Sequence, residues 1–306
     1  SSVFEVQPGG LQHALNMVCP GDTVKLGSGE YEESVMTTIA GTIIKRITIE
    51  GPQDAIIKGD SDEGHVFDVQ HSYYTLDGFT IDGEIKKKKK YMDKLLYIQT
   101  NREEAKEATL IEYGGQKFYS SINGVVVKHM TIRNGGGECV RLRYFVTFTH
   151  IHDNHIHDCG IDDYVLNPGE GKNGEAVYIG TAVSQWGEGD KDPKSPKGGG
   201  EDSCRFNTVS HNDLNPEGNE CVDIKEGSSE NIIQNNKCWG QYDDDSAGLD
   251  SRGDSNIFRY NEITATEGSG IRMGGHKVNG QQFGVNNMVY GNTMSENEHS
   301  GIKIMV

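Results

Sequence analysis

The chain has 306 residues, a formal net charge of −17 and only 34% hydrophobic residues. The negative charge argues against nucleic acid or an anionic membrane as the main partner, and no run approaches the roughly 18 apolar residues of a membrane span. A low apolar content with 40 glycines and 7 prolines favours an elongated repeat structure with a thin core. We expect a single domain over residues 1–306.

The first pattern along the chain predicts a short helix. Within residues 9–18, apolar side chains recur at helical spacing, namely Leu11, Ala14, Leu15 and Val18. Such a helix would cover the open end of a solenoid, where core and strand edges are otherwise exposed. Residues 1–5 do not have the composition of a signal peptide, so we expect that any such segment has been removed.

Short strand patterns follow at residues 46–50, 65–69, 74–81 and 124–132, each with turn residues at its ends. Two stretches interrupt them, residues 84–121 and 185–203, and we interpret both as insertions that project from a corner. The first contains a lysine run, residues 86–90, which we interpret as a solvated face rather than a polyanion site. It also contains helix-favouring segments at 91–96 and 103–108. The second insertion would form a wall of a groove.

The most informative pattern is a six-residue motif that alternates apolar and polar positions and begins at residues 138, 175, 220, 247, 269 and 300. Alternation marks a strand with one buried face. Stacked as parallel strands about 4.8 Å apart, the copies give an inner column of Val140, Val177, Val222, Leu249, Ile271 and Ile302. The alternate residues form two outer columns, which we expect to face water. The first comprises Arg141, Tyr178, Asp223, Asp250, Arg272 and Lys303. The second comprises Arg143, Gly180, Lys225, Arg252 and Gly274.

Asparagines recur between these motifs, at Asn154, Asn212, Asn231, Asn236, Asn256, Asn261, Asn287 and Asn292. Asparagine tolerates left-handed turns, and stacked asparagines hydrogen-bond along a ladder. Coils of roughly 20 to 30 residues built from such strands and corners predict an all-β fold, a right-handed parallel β-helix with a short N-terminal capping helix. The chain stops in a strand pattern, so we expect a further cap or another chain at that edge, and otherwise a monomer.

Cysteines, histidines and an acidic run each allow two interpretations. The six cysteines contain no CxxC, and the shared register of Cys139 and Cys221 favours small buried residues at stacked positions over disulfide pairing. Histidines between residues 150 and 157 could bind zinc, but we interpret them as a polar outer face. We interpret residues 243–245 as a solvated turn rather than a calcium loop.

Charged residues of the outer columns predict a site in the middle of the chain. Glu175, Glu220, Asp223 and Asp250 converge on three successive coils and offer the oxygen ligands that Ca²⁺ prefers. The alternative is a surface ladder of charges that neutralise one another. Such a ladder needs no concentration in the middle of the molecule, so we favour a functional site.

Elimination on a uronate polymer fits these residues. The reaction removes the C5 proton and expels the C4 substituent, and Ca²⁺ or an arginine stabilises the enolate-like transition state. A lysine crowded by cations loses its proton more easily. We expect Lys225 to be the base, with its pKa lowered by Arg252 and the metal, and Arg252 to be the stabiliser. The expected substrate-binding residues are Arg141, Arg143, Tyr178, Arg272 and His276.

Three segments, 223–236, 251–261 and 270–275, resemble the core of polysaccharide lyase family 6, the chondroitinase B and alginate lyase group, over roughly residues 170–290. Residues 175–180 and 222–227 are also similar to secreted pectate-lyase-like β-helix proteins. The family resemblance implies a lysine base, an arginine one coil later, and calcium held by acidic residues and an asparagine. The matching positions are Lys225, Arg252, Glu220 and Asp223.

Other functions stay open at this point. A polygalacturonase-like hydrolase would use Asp223 and Asp250, about 5 Å apart on adjacent strands. A uronate C5-epimerase shares the proton abstraction, and a non-catalytic β-helix would bind carbohydrate without turnover. In each case we expect an acidic polysaccharide as the partner and a secreted protein.

Overall fold

The computed structural model describes residues 1–59, 64–85, 90–99, 108–166, 173–186, 202–278 and 280–305. In this part of the chain, three long parallel sheets contain most of the strands. We call them sheets 1, 2 and 3, because each coil contributes one strand to each sheet in that order. This is a parallel β-helix, as the repeat pattern predicts.

The strands of sheet 1 are Val3–Val6, Thr23–Leu26, Ile47–Glu50, Tyr74–Asp77, Val126–Lys128, His150–His152, Thr208–Ser210, Ile232–Gln234, Ile257–Arg259 and Met288–Tyr290. Those of sheet 2 are Gly29–Tyr31, Ala55–Ile57, Thr80–Asp82, Thr131–Arg133, His155–His157, Asp213–Asn215, Lys237–Trp239, Glu262–Thr264 and Thr293–Ser295. Sheet 3 comprises Val35–Met36, His65–Val69, Lys94–Gln99, Val140–Arg143, Val177–Ile179, Val222–Ile224, Ala247–Ser251, Ser269–Met273 and Ile302–Ile304.

Smaller elements decorate the coils. Short strand pairs join Glu84–Ile85 to Lys90–Tyr91, Thr109–Tyr113 to Gln116–Ser120, Ile122–Asn123 to Val146–Thr147, and Lys277–Val278 to Gln281–Gln282. The helices are an α-helix at Leu11–Leu15, a π-helix at Ile161–Leu166 and a 3₁₀-helix at Val183–Gln185. No helix of the described residues is long and apolar enough to span a membrane.

The register of sheet 3 confirms the predicted inner column. Val140 pairs with Val177, Val177 with Val222, Val222 with Leu249, and Leu249 with Ile271. All five side chains are fully buried, whereas the sixth predicted member, Ile302, pairs with Ile271 but is 44% exposed. The N-terminal helix is also confirmed, although it is shorter than the predicted segment, and its Leu11, Ala14 and Leu15 pack on the core.

Buried asparagines form two ladders at the corners that flank sheet 1. In one, Asn154 donates from its side chain to Asn212 Oδ1 at 2.9 Å, and the same contact repeats along Asn212, Asn236, Asn261 and Asn292. In the other, it repeats along Asn207, Asn231 and Asn256, and the backbone of Asn256 continues it to Asn287. Each described amide also donates to a backbone carbonyl, so the ladders satisfy the polar groups of buried corners.

Two predictions for residues 84–121 are wrong. The segment 91–96, expected to be helical and part of an insertion, instead contributes to Lys94–Gln99, a strand of sheet 3 that pairs with His65–Val69 and Val140–Arg143. Burial of five of the six strand residues and pairing on both sides outweigh helix propensity here. Lysines 86–89 and residues 103–107 lie outside the described residues, as does most of the second insertion.

The cysteine interpretation is also wrong. Cys139 is bonded to Cys159 and Cys221 to Cys238, whereas Cys19 and Cys204 are free. Cys139 and Cys221 do share one register position, immediately before strands of sheet 3. Their partners lie in the next coil, Cys238 within the sheet 2 strand Lys237–Trp239 and Cys159 just after the sheet 2 strand His155–His157, so each bridge links two successive coils.

Candidate active site

The outer face of sheet 3 carries both predicted polar columns, but their central side chains do not face water as expected, whereas Lys303 on the last strand is exposed. Asp223 and Asp250 are 0% exposed and Lys225 is 7% exposed. Neighbouring coils pack these side chains against one another, and residues of 173–186 and 243–246 border a cleft of roughly 300 Å³ above them. The period of a strand predicts which side of the sheet a residue lies on, and it does not predict what covers that side.

Lys225 forms an ion pair with Asp223 on its own strand. Arg252, on the next coil, places Nη2 at 3.5 Å from the same Asp223 carboxylate. Burial alone would lower the pKa of Lys225, but the attraction of Asp223 more than offsets it and the pKa is raised. The prediction of a lowered pKa for Lys225 is therefore wrong. Asp223, which we had expected to bind a metal, pairs with the lysine and raises its pKa.

Tyr178 lies between two cations in the same cleft. The guanidinium carbon of Arg141 is 3.8 Å from its ring centroid, and Lys225 Nζ is 4.7 Å away. Burial raises the pKa of the Tyr178 phenol to about 12, so the hydroxyl keeps its proton at neutral pH. The cleft thus holds two proton-carrying groups, an ammonium and a phenol, side by side.

Three of the four predicted metal ligands come together. Glu175, Glu220 and Asp223 are buried, and each offers a carboxylate oxygen within 4.8 Å of the others. Glu220 Oε2 and Asp223 Oδ1 have no hydrogen-bond partner. A cluster of buried carboxylates with orphaned oxygens fits a hard cation such as Ca²⁺. We call these three residues the acidic triad.

The pKa values of the acidic triad reflect the crowding of negative charge. Burial, then repulsion from Glu138, raises the pKa of Glu175 to about 7. Burial and the neighbouring Asp223 raise the pKa of Glu220 well above its usual value. Burial would also raise the pKa of Asp223, but Lys225 and Arg252 overcome it and hold the pKa below its usual value.

Asp250, the fourth predicted ligand, lies outside the acidic triad. It is the register partner of Asp223 on the next coil, but its Oδ2 accepts a hydrogen bond of 2.7 Å from Arg272. The same Arg272 nitrogen lies 2.9 Å from Glu220 Oε1. Arg272 therefore links Asp250 to the acidic triad. These contacts occupy the Arg272 guanidinium, which we had expected to bind substrate.

Of the other predicted substrate-binding residues, Arg141 and Arg143 are engaged in the protein. Arg141 Nη1 donates to Glu138 Oε1 at 2.6 Å, and Arg143 Nε donates to Thr181 Oγ1 at 2.9 Å. Both side chains are almost fully buried, so they support the cleft from below. His276 is 62% exposed and lies at the rim, with Nε2 at 3.9 Å from Glu226.

Sequence reasoning missed Glu226 and Asn219. Glu226 is 1% exposed, neither of its carboxylate oxygens has a hydrogen-bond partner, and Oε1 is 3.9 Å from Arg252 Nη1. Asn219 directs its amide to Glu175 Oε1 at 3.5 Å, which adds an asparagine to the acidic triad. Their positions in the sequence could have identified both residues, because Glu226 directly follows Lys225 and Asn219 directly precedes Glu220.

The acidic run Asp243, Asp244 and Asp245 forms a turn beside the cleft. Its three carboxylates approach within 4.8 Å of one another, but two of the residues are exposed. The backbone of Asp245 donates to Asp243 Oδ1 at 3.0 Å, and the Asp245 carbonyl accepts from Arg272 Nη1 at 2.7 Å. The turn therefore holds Arg272 beside the cleft.

Neither the family models nor the curated proteins give a match to this chain. Solved structures do share its fold. The alginate lyase from Paenibacillus sp. str. FPU-7 has a TM-score of 0.68 at 18% identity, over 99% of both chains. The pectate lyase Pel9A has a TM-score of 0.55 at 9% identity, over 98% of this chain and 78% of the other.

The PL6 family alginate lyase AlyGC has a TM-score of 0.54 at 16% identity and covers 99% of this chain and 40% of the other. Two of the three similar structures are thus alginate lyases and the third is a pectate lyase. This agrees with the resemblance seen in the sequence. At identities of 9–18% the likeness establishes the parallel β-helix fold.

Proposed function

We propose that this chain is a polysaccharide lyase that cleaves a uronic-acid-containing polymer by β-elimination in the cleft over sheet 3. The observation that carries the proposal is the convergence of Lys225, Arg252 and the acidic triad in one cleft. The three similar structures described above, all lyases of acidic polysaccharides, support the same reaction class.

In this reaction a base takes the C5 proton, the C4–O bond breaks, a C4–C5 double bond forms and the leaving oxygen gains a proton. Lys225 is the proposed base and the Tyr178 phenol is suited to supply the proton. Arg252 binds the uronate carboxylate and stabilises the negative charge that develops next to C5. Because Asp223 raises the pKa of Lys225, their ion pair must loosen first, and Arg252 competes for the same Asp223 oxygen.

Glu175, Glu220 and Asp223 are the proposed calcium ligands, together with the Asn219 amide. A bound Ca²⁺ would supply positive charge near the substrate carboxylate and thereby favour loss of the C5 proton. The pair of disulfides suits an oxidising compartment, so we propose that the protein is secreted and meets its polymer outside the cell.

A hydrolase is the second candidate, because the two central aspartates differ in pKa. Burial and Asp223 raise the pKa of Asp250, whereas the net effect on Asp223 is a lowered pKa. Adjacent carboxylates with divergent pKa values are typical of an acid and nucleophile pair. Arg272 and Lys225 occupy these carboxylates, which favours the lyase.

The products decide between these functions. We would incubate the protein with pectate, alginate, glucuronan and chondroitin, with and without Ca²⁺, and follow ultraviolet absorbance and reducing ends together. A lyase produces both signals, since the unsaturated uronate absorbs. Reducing ends without absorbance would establish the hydrolase, and binding without either signal would contradict both enzymes. Altered C5 configuration in intact polymer would identify an epimerase.

A further inference from the structure

The outer face of sheet 2 carries a His-Ile-His segment that the proposed elimination does not use. His155 and His157 lie on the same side of their strand, with ring centroids 4.2 Å apart and planes inclined by 27°. Ile156 between them is buried in the core. The two imidazoles therefore lie side by side on a surface other than that of the cleft on sheet 3.

A neighbouring carboxylate determines which nitrogen of His157 carries hydrogen. His157 Nδ1 is 2.6 Å from Asp158 Oδ2, and an ionised carboxylate only accepts hydrogen bonds. The hydrogen bond from His157 holds the pKa of Asp158 below its usual value, so the carboxylate is ionised at neutral pH. The hydrogen is thus on Nδ1, and the neutral ring presents its lone pair on Nε2, as in histidines that bind metals.

His155 is exposed, and no hydrogen bond among the described residues engages its ring. Its register partner on the next coil is Asp213, a carboxylate whose Oδ1 accepts from Trp239 Nε1 at 2.8 Å. The register partner of His157 on the preceding coil is Arg133, which is paired with Asp82 at 2.9 Å. The surroundings of the two rings therefore do not repel a cation.

We propose that His155 and His157 form a binding site for a divalent transition-metal ion, with Zn²⁺ as the representative. Imidazole nitrogen suits zinc, copper and nickel, whereas calcium and magnesium prefer oxygen. Histidines two residues apart on a strand lie on the same side, so rotation about their side-chain torsions can turn both Nε2 atoms out of the stacked arrangement toward one ion, at a metal–nitrogen distance of about 2.0–2.1 Å. Water completes the coordination. This site differs from the acidic triad in both position and chemistry.

A second pair on the neighbouring sheet provides a matched control. The rings of His150 and His152 are also 4.2 Å apart, at the same spacing along a strand of sheet 1. His150 Nε2, however, lies 2.9 Å from Ser210 Oγ. Burial, with a smaller contribution from His152, lowers the pKa of His150 to about 4. This ring is engaged and half-buried, so we expect no comparable affinity there.

Zinc titration by isothermal calorimetry tests the proposal on the whole chain, with excess Ca²⁺ present to occupy the acidic triad. We expect saturable zinc binding by the wild type and by His150→Gln/His152→Gln. His155→Gln/His157→Gln should lose affinity by about tenfold or more, and Asp158→Gly, which removes the acceptor that orients His157, by about 10- to 100-fold.

Absence of saturable zinc binding by the wild type would overturn the proposal, and so would equal affinity in the wild type and His155→Gln/His157→Gln. Thermal melts check that each variant is folded, as expected for outward-facing side chains, and the single variant His155→Gln gives the same comparison if a double variant unfolds. The measurement does not involve a polysaccharide, so its outcome is independent of the proposed lyase activity.

Discussion

At the scale of single residues, the cleft is dominated by buried charges that hold one another. Lys225 was expected to face water, but it is buried in an ion pair with Asp223. Removing one partner of a buried pair leaves an uncompensated charge and costs about 3–5 kcal/mol. Lys225→Met would therefore mix loss of chemistry with loss of stability.

Lys225→Arg separates these two effects. Arginine keeps the positive charge beside Asp223, but it does not deprotonate and cannot act as a base. We expect kcat to fall by about 10²- to 10⁴-fold with a melting temperature close to that of the wild type. The control is Lys237→Arg, on the outer face of sheet 2, which should retain full activity. If Lys225→Arg retains the turnover of the wild type, Lys225 is not the base.

Glu226 offers a test in which stability and activity move in opposite directions. Its buried carboxylate lacks hydrogen bonds and faces Arg252. We expect Glu226→Gln to raise the melting temperature, because a buried charge without hydrogen bonds is costly. We expect it to lower kcat, because Arg252 loses a carboxylate that orients it. Unchanged kcat would show that Glu226 does not position Arg252.

The raised pKa of Glu175 predicts how stability depends on pH when no Ca²⁺ is bound. The pKa rises from 4.5 to about 7 on folding, so between these values the folded state binds more protons than the unfolded state. Stability in the presence of chelator should therefore fall as pH increases from about 4.5 to 7. Melting curves of wild type and Glu175→Gln check this, since the variant should lose part of the slope. Identical slopes would contradict the assignment.

At the scale of elements, the asparagine ladders and the strands of sheet 3 have different sequence signals. Period-two alternation correctly predicts the inner column, because only one register buries the apolar set, and the recurring asparagines correctly predict the ladders. Helix propensity fails at 91–96, where pairing with two strands decides the structure. The disulfides were missed because each joins two successive coils, and one motif alone does not show which residue of the next coil lies beside it.

The ladder at Asn236 makes a quantitative prediction. Asn236 accepts from Asn212 and donates to Asn261 and to the Val209 carbonyl, all in the buried interior. Asn236→Ala leaves those groups unpaired, so we expect a loss of about 1–3 kcal/mol per unsatisfied group. Exposed Asn16 is the control, and Asn16→Ala should change stability by less than about 0.5 kcal/mol. Chemical denaturation measures both, and equal effects would contradict a structural role for the ladder.

At the scale of the whole molecule, the fold was predictable and the chemistry only in part. The register of the stacked strands is enough to bring together Lys225, Arg252 and three of the four expected metal ligands. The partners of Arg141, Arg143 and Arg272 were not predictable. They come from Glu138, Thr181 and Asp250 on the same or neighbouring coils, and strand alternation gives no information about how side chains on one face pair.

Calcium should stabilise the whole β-helix if the acidic triad binds it. A ligand that binds only the folded state adds about 2.7 kcal/mol at a free concentration of 100 times Kd. We expect the melting temperature to rise with Ca²⁺ and to return on chelation. Glu175→Gln/Glu220→Gln should abolish the response, whereas the exposed pair Glu262→Gln/Glu267→Gln should not. A calcium response that persists in the variant without the triad carboxylates would show that the ion binds elsewhere.

The ladders also bear on how this protein could diverge. Successive ladder asparagines are 24 residues apart between Asn212 and Asn236, yet 58 apart between Asn154 and Asn212, and the backbone hydrogen bond is 3.0 Å in both. The hydrogen bonds between neighbouring coils are thus unchanged when the segments that connect successive ladder asparagines differ greatly in length. Segments that border the cleft are therefore modular, and exchange of a whole loop would change the wall of the cleft while the stacked coils beneath it stay intact.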